Sequence, residues 1–415
     1  MRHLIISILI LIICSCKLND DINNPNDFIE TLKPIWATVL LDDFDFGTGI
    51  QGRTLGVNNG EVVLFNGVKN TFQTLNGLDV NTGEIIWTFE EDNVRNGNFS
   101  YYHNPSNNCI KKETIFFQNS NIGYYFSIGS GEYKKFNLNT NSSDFLLNST
   151  CINEKYFFTE KEETVDGFKV CLAYNTYSNL ANFCKLCPSN ASISSLPYNV
   201  DGVKYYLPFV EKNNVLIFMV YSKAIKNYAT KERYWSLYNE SENKWIFDSV
   251  KIGNSTTARF TEYYNNKFYI KDQFNIYCYS RETAALIWQE EFPAQIDALN
   301  VVEDHNKIII NCVNYTSYCI NADSNTQIWQ ENTAASTSNI YYQDGVVYFI
   351  GGDTGKLHAL DINTGKHYWK VVVPHLDGPG SSFSKHVGGM PAQNGKKGKI
   401  FTSSFTRAYC FEAVN

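Results

Sequence analysis

Three observations predict an all-β chain folded as an eight-bladed β-propeller of four-stranded antiparallel blades. A stretch of about a dozen residues closing on an aromatic recurs along the sequence, with successive spacings of 58, 38, 62, 43, 41 and 40 residues. A Gly or Asn stands four residues before most of those aromatics. The chain stops at Asn415 inside a repeat whose missing strand can come from residues near Trp36. Periods of about 40–45 residues holding several short strands are propeller-like.

The composition fits strands and a large core. Hydrophobic residues make up 43%, aromatic residues 15% and charged residues only 19%. That mixture, rich in Ile, Tyr and Asn, favours strands and turns over helices. The chain starts with a basic pair, Arg2 and His3, followed by ten apolar residues from Leu4 to Ile13. Such a run is a secretory h-region, too short to span a bilayer stably. It ends in "ICSC", Ile13 to Cys16, which resembles the lipobox of bacterial lipoproteins: an apolar residue, any residue, a small residue, then Cys. The resemblance implies a signal peptide over residues 1–15, with Cys16 as the lipid-bearing mature N-terminus. Several acyl chains there would anchor firmly, at about 0.8 kcal/mol per buried CH₂.

Residues 16–32 are polar and Asn/Asp-rich and read as a flexible tether, leaving 33–415 for the propeller. Lys17 followed by Asp20 and Asp21 loosely resembles signals that send some lipoproteins to the cell surface. Loss of residues 1–15 moves the net charge from −7 to −8. An acidic chain of this kind argues against nucleic acid, whose binding leans on Lys and Arg contacts to phosphate.

The repeat is clearest in "LHALDINTGKHYW", Leu357 to Trp369. Its counterparts close on Trp87, Phe145, Phe183, Trp245, Trp288 and Trp329, the unit at Trp245 being one residue shorter. Apolar strands such as "NNKFYIKD" and "HNKIIINC" lie upstream. Gly83, Asn141, Asn179, Asn325 and Gly365 occupy the turn, where one residue must tolerate positive φ; Ala284 breaks the rule. Asp79 and Asp361 read as caps of their own turns. Near the C-terminus, Tyr409 to Glu412 aligns with His358 to Asp361. The missing outer strand matches "KPIW", Lys33 to Trp36. The ring is therefore expected to close with the N-terminal strand near Trp36 joining C-terminal strands 398–413. Pro34 suits an outermost strand with a free edge.

The pattern apolar–Ala–Leu–Asp–x–x–Thr–Gly–x–x–x–Trp in Leu357–Trp369, with its copy from Gly77-Leu78-Asp79 through Trp87, resembles the PQQ-like (quinoprotein alcohol dehydrogenase-like) β-propeller repeat. The resemblance implies that the repeat Trp (36, 87, 245, 288, 329 and 369) dock between adjacent blades. Trp235, outside the pattern, reads as core. A lipid-anchored, single-domain member of this size is similar to the outer-membrane assembly-factor lipoproteins. Quinoprotein dehydrogenases of the family carry adjacent cysteines and a Ca²⁺ cluster, and neither pattern is visible in this sequence.

Eleven cysteines in an exported chain invite a disulfide framework. Cys278, Cys319 and Cys410, however, align with Ala359 and read as one small buried slot in three blades. Cys184 and Cys187 form a lone C-x-x-C without a second ligand pair, read as a local disulfide or two free thiols. The long stretch Val373 to Lys399 holds His375, Asp377, Ser381, Ser382 and His386. These are the ingredients of a hydrolase triad without a nucleophile elbow, so the stretch reads as a binding loop. The expectation is a monomeric, non-enzymatic propeller without cofactor or catalytic residues. It would be held by lipid at the outer membrane, facing the periplasm or the cell surface, and would grip a protein partner, with outer-membrane protein assembly as the leading role. The alternatives are a PQQ/Ca²⁺-dependent dehydrogenase and a surface binder of glycan or host protein.

Overall fold

Short apolar runs between turn residues become strands because successive side chains alternate between two faces, and Gly, Asn and Asp reverse the chain. In the computed structural model, every regular element of the described residues is a strand, apart from one 3-10 turn at Glu303–His305. The structure describes residues 32–40, 54–58, 60–69, 72–90, 114–119, 122–137, 149–151, 156–165, 168–176, 184–186, 200–211, 214–225, 230–239, 242, 244–333, 338–352, 355–374, 381–383, 386–404 and 406–415.

After β1 (Trp36–Val39), the chain runs through consecutive antiparallel meanders. The first contains β2 (Thr54–Asn58), β3 (Val62–Lys69), β4 (Phe72–Asp79) and β5 (Ile85–Phe89). A three-stranded sheet follows, with β6 (Thr114–Asn119), β7 (Ile122–Ser127) and β8 (Tyr133–Asn137). Then come β9 (Ser149–Cys151), β10 (Tyr156–Val165), β11 (Phe168–Thr176) and β12 (Cys184–Leu186). The fourth sheet has β13 (Val200–Glu211), β14 (Asn214–Ile225), β15 (Thr230–Asn239) and β16 (Lys244–Lys251). The fifth has β17 (Arg259–Tyr264), β18 (Lys267–Lys271), β19 (Asn275–Ser280) and β20 (Leu286–Glu291). The sixth has β21 (Ile296–Val302), β22 (Lys307–Cys312), β23 (Thr316–Asn321) and β24 (Gln327–Asn332). The seventh has β25 (Tyr341–Gln343), β26 (Val346–Ile350), β27 (Leu357–Asp361) and β28 (His367–Val371). Last come β29 (Val387–Met390), β30 (Lys399–Ser403) and β31 (Arg407–Glu412), with β1 added beside β31.

The core lies between the sheets. Every residue of β22 and β26 is buried, whereas β20 is exposed or half-exposed along its length. That gradient follows from sheets stacked face to face, which bury the middle strands on both sides and leave the last strand at the rim. One face of the β21–β24 sheet packs Ile308, Ile310 and Ile320 against Tyr269, Ile276 and Cys278. Its other face packs Ile309, Cys319 and Trp329 against Val347, Phe349 and Leu360. First strands also lie near each other from sheet to sheet: β13 beside β17, β17 beside β21, β25 beside β29, and β29 beside β2.

The register of β1 is Trp36 opposite Cys410, with Val39 opposite Arg407. The strand begins at Trp36, where the sequence reading has it end. Pro34 has no N–H to give, and pairing starts with the Ile35 amide on the Cys410 carbonyl at 2.7 Å.

Two repeat units sit differently from the sequence alignment. In four sheets the repeat aromatic faces a small residue: Gly77 opposite Trp87, Cys278 opposite Trp288, Cys319 opposite Trp329, and Ala359 opposite Trp369. In the β13–β16 sheet the corresponding pair is Leu237 opposite Phe247, and Trp245 instead faces Tyr238. Trp245 therefore stands two places before the repeat position. Phe247 holds that position 41 residues ahead of Trp288, and the unit is not shortened. Aligning on Trp misplaced it because the position accepts another large ring. The unit expected to close on Phe145 has its turn between β7 and β8, where Gly131 is at φ 72. The bonds Gly131 N–H to Ser127 O and Ser127 N–H to Glu132 O repeat those of Gly83 and Asp79. Its repeat position falls on Lys135, ten residues upstream of Phe145. Asn141, Phe145, Asn179 and Phe183 lie outside the described residues.

Candidate functional site

The repeated side chains meet at one kind of joint. The indole N–H of Trp36 donates to Val80 O at 3.2 Å, that of Trp87 to Ile128 O at 2.9 Å, that of Trp288 to Ala322 O at 3.2 Å, and that of Trp329 to Ile362 O at 2.9 Å. Each acceptor lies in the turn before the last strand of the next sheet, so one bond both satisfies the buried donor and fixes sheet to sheet. The indole ring covers the glycine of that turn. A Cβ at Gly83 would lie 2.5 Å from Trp36, at Gly131 2.6 Å from Trp87, and at Gly365 2.7 Å from Trp329. The three glycines have φ of 73°, 72° and 73°, so both backbone and space demand them. Asn325 (φ 58°) and Ala284 (φ 57°) take the same conformation, Ala284 against the usual steric preference. Trp369 packs on Tyr348 and joins a cluster with Phe383, Tyr409 and Phe411. Trp235 is wholly buried and stacks on Phe218.

A lysine at the first residue of the second strand adds to the joint. Lys399 donates to Val80 O and Asn81 Oδ1, both at 2.7 Å. Lys307 donates to Ile362 O at 3.2 Å and Asn363 Oδ1 at 2.6 Å. Lys267 pairs with Asp323. The sequence reading missed this latch, although "NNK", "HNK" and "KGK" each place a lysine directly before an apolar strand. Desolvation holds the Lys399 ammonium below its usual range. The Lys399 and Trp36 bonds to Val80 tie the sheet of β29–β31 and β1 to the β2–β5 sheet.

Asp79 accepts the amides of Asn81 and Thr82 at 2.7 and 2.8 Å, and Asp361 those of Asn363 and Thr364 at 2.9 and 2.7 Å. Partial desolvation opposes ionisation of both carboxyls. The hydrogen bonds outweigh it and hold both below the usual carboxylate range. Cys278, Cys319 and Cys410 are buried free thiols, each pushed up to about 12 by desolvation. Cys410 faces Trp36, so the small slot and the aromatic position recur together there too.

The stretch from Val373 to Lys399 is not one loop. It contains β29 and the hairpin leading into β30, and Phe383 is buried edge-on against Tyr409 and Phe411. Ser382 lies over Gly355, where a Cβ would approach it to 2.1 Å. Ser381 is half-buried, and the His386 carbonyl accepts the Thr402 hydroxyl at 3.0 Å. His375, Asp377, Cys16 and Cys187 lie outside the described residues, as do residues 1–15.

Two further groups are perturbed. His358 is buried, stacks on Phe349 and contacts His367 at 3.1 Å. Desolvation first, then His367 and nearby Lys370 and Lys356, hold it well below the usual imidazole range. Glu262 on β17 accepts the Val301 amide of β21 at 2.8 Å. Desolvation pushes its carboxyl up to about 8; the Val301 bond acts downward and Glu303 upward. Among the described residues no group of three or more His, Cys, Asp or Glu could hold a metal ion.

A polar cleft of ≈ 440 Å³ lies between the β13–β16 and β17–β20 sheets. Successive strands alternate in direction, so this cleft, at the β18–β19 turn, opens at the end opposite the Trp joints. Lys251, Gly253, Asn254, Asp272, Asn275 and Gln289 line it. The sequence reading did not find it, because its parts are scattered over three strands and carry no motif.

Repeated antiparallel sheets, joined at four places by the same bond from a Trp N–H to a turn carbonyl, define a repeat protein of the propeller type. Residues 224–415 match the family model described as outer membrane protein assembly factor BamB, and over that stretch the chain carries PQQ-like repeats. No curated protein matches the chain by sequence. By structure it is similar to Saccharomyces cerevisiae Sqt1, at 9% identity and TM-score 0.56, over 94% of this chain and 99% of that one. It is also similar to the computationally designed Ika8 protein, at 11% identity and TM-score 0.50, over 93% of this chain and 100% of that one. These likenesses concern the fold alone.

Proposed function

We propose that this chain is a non-enzymatic, lipid-anchored scaffold that holds protein partners at the bacterial cell envelope, in the service of outer-membrane protein assembly. In this reading its eight sheets are the blades of one ring, closed by β1 and by the bonds of Trp36 and Lys399 to Val80. The observation that carries the reading is the use of the repeated polar groups. Trp N–H, Lys ammonium and Asp carboxylate are each bonded to a turn or a neighbouring sheet, which builds a rigid frame and leaves partners to be chosen by the connections. The match of residues 224–415 to an assembly-factor model supports the envelope role.

Crosslinking in intact cells, followed by isolation of the tagged chain from membranes, tests this. A reproducible set of envelope proteins is expected. Recovery of none above an untagged control would remove the scaffold reading. Cys16→Ser should release the chain from membranes, and protease treatment of intact cells separates a periplasmic from a surface orientation.

A further inference from the structure

We infer that the cleft between the β13–β16 and β17–β20 sheets is a binding site for a neutral sugar unit. Three features build it, and none belongs to the Trp joint. First, β16 breaks register with β15 before its end, and Ser249 there takes φ 59°. A bulge with positive φ at a residue other than Gly is strained, and bulges re-aim the side chains that follow. Here the strand end it precedes is Lys251, whose ammonium is held by Glu232 at 2.6 Å. Second, Gly253 (φ 44°) lies against the Tyr277 ring, and a Cβ there would come within 2.6 Å of Cε1. The absence of a side chain keeps this wall open. Third, the opposite wall is preorganised. Asp272 Oδ1 accepts the amides of Phe274 and Asn275 at 2.8 and 2.6 Å, and Oδ2 accepts the Tyr277 hydroxyl at 2.8 Å. Gln289 Nε2 donates to Asn275 Oδ1 at 3.0 Å.

The chemistry of the lining selects the ligand class. The cation Lys251 is paired, and Asp272 is already bonded by its own turn. Glu291 adds a further negative charge at the rim, so an anion is disfavoured. Asn275 is spent within the wall, its Nδ2 on Asp272 and its Oδ1 on Gln289, so the Asn254 amide and the Gln289 Oε1 and second N–H offer the donors and acceptors that face the cleft. A polyhydroxylated neutral ring matches such a set, because each hydroxyl both donates and accepts. The volume, ≈ 440 Å³, lies at the lower end of ordinary small-molecule sites. This site stands apart from the scaffold reading and neither needs it nor follows from it.

The test uses the full mature chain, titrated by calorimetry and saturation-transfer NMR. The probes are glucose, galactose, mannose, N-acetylglucosamine, maltose and chitobiose, with glucose 6-phosphate and spermidine as charged controls. At least one neutral saccharide should bind at millimolar Kd or tighter. Gln289→Ala and Asn254→Ala, both at exposed positions, should each weaken it about tenfold. Gln330→Ala, the equivalent place one sheet on, should leave it unchanged. No saccharide signal, binding insensitive to both cleft variants, or preference for a charged control would overturn the assignment. Thermal midpoints for each variant establish that a loss of binding is not a loss of fold.

Discussion

The carbonyl of Ile362 carries two latches, and that sharing has a measurable signature. It accepts the Trp329 indole at 2.9 Å and the Lys307 ammonium at 3.2 Å, both in buried surroundings. Trp329→Phe removes the first donor and keeps an aromatic ring; Lys307→Met removes the second and keeps the stem. Either change alone leaves the carbonyl one strong donor beside the weak Cys319 thiol. The lost bond costs about 1 kcal/mol, with up to about 1 kcal/mol more for the trimmed ring or for the lost Asn363 bond. The double variant leaves that buried carbonyl only the long contact of the Cys319 thiol at 4.0 Å, a weak donor, which costs about 1–3 kcal/mol beyond the lost bonds. The double variant should therefore be less stable than the sum of the singles by at least about 1 kcal/mol. A double-mutant cycle in urea, run on the lipid-free mature chain, measures this. Additivity within about 0.5 kcal/mol would show that the two bonds do not act on one group and would refute the joint as described.

The remaining predictions probe the slot and the perturbed groups. Gly77→Ala puts a Cβ 2.3 Å from the Trp87 ring and should destabilise by about 1–3 kcal/mol, whereas Cys319→Ala fills the same slot as Ala359 does and should cost about 1 kcal/mol or less, both read by thermal or urea melts. Iodoacetamide should not modify Cys278, Cys319 or Cys410 in the folded chain at pH 8, and should modify all three in denaturant, as mass spectrometry of the digests would show. His358 is neutral in the fold and its pKa lies below the unfolded 6.5, so the stability it lends is present above 6.5 and lost as pH falls. His358→Phe should flatten the stability profile between pH 7.5 and 5.5 by about 1.4 kcal/mol. Glu262 behaves oppositely. With its folded pKa raised from 4.5 to about 8, stability drains away as pH rises through that window, so Glu262→Gln should gain about 1–2 kcal/mol over wild type on going from pH 4.5 to 8, an amount reduced for the partial exposure of the residue.

What could be read in the sequence follows how local its cause is. Asp79, Gly83, Asp361 and Gly365 announced their turns because a tight turn with one positive-φ residue admits few residue types. The β1 pairing was legible for a related reason: Cys410 aligned with Ala359, so the strand facing it had to carry a Trp in the register of Trp36. Alignment failed where packing, not backbone, sets the residue. The space opposite Leu237 takes Phe247, and Trp245 nearby drew the alignment onto itself. Around Gly131 the turn is "SIGSGE": the glycine is in place, but Ser127 stands for the Asp and Lys135 for the closing aromatic, so the unit did not align. The Lys latch went unread because one lysine before a strand looks like any solvated strand start. Its meaning lies in a carbonyl up to 319 residues away.

The two edges of the sheet stack differ in what they can tell a partner. At the edge of the Trp joints the copies are nearly alike: an Asp, Asn or Ser bonds the turn amides, a positive-φ residue follows, and an indole covers it. A surface repeated in this way presents the same features several times around the molecule and cannot fix one orientation by itself. At the other edge the copies diverge. The β18–β19 turn is locked by Asp272, β16 is bulged at Ser249, and the segment before β29 buries Phe383 against Phe411. These departures bring strain and buried area that the repeat does not require. In the proposed scaffold role, recognition that distinguishes one sheet from the next would fall mainly at this edge, with the uniform edge holding the frame still.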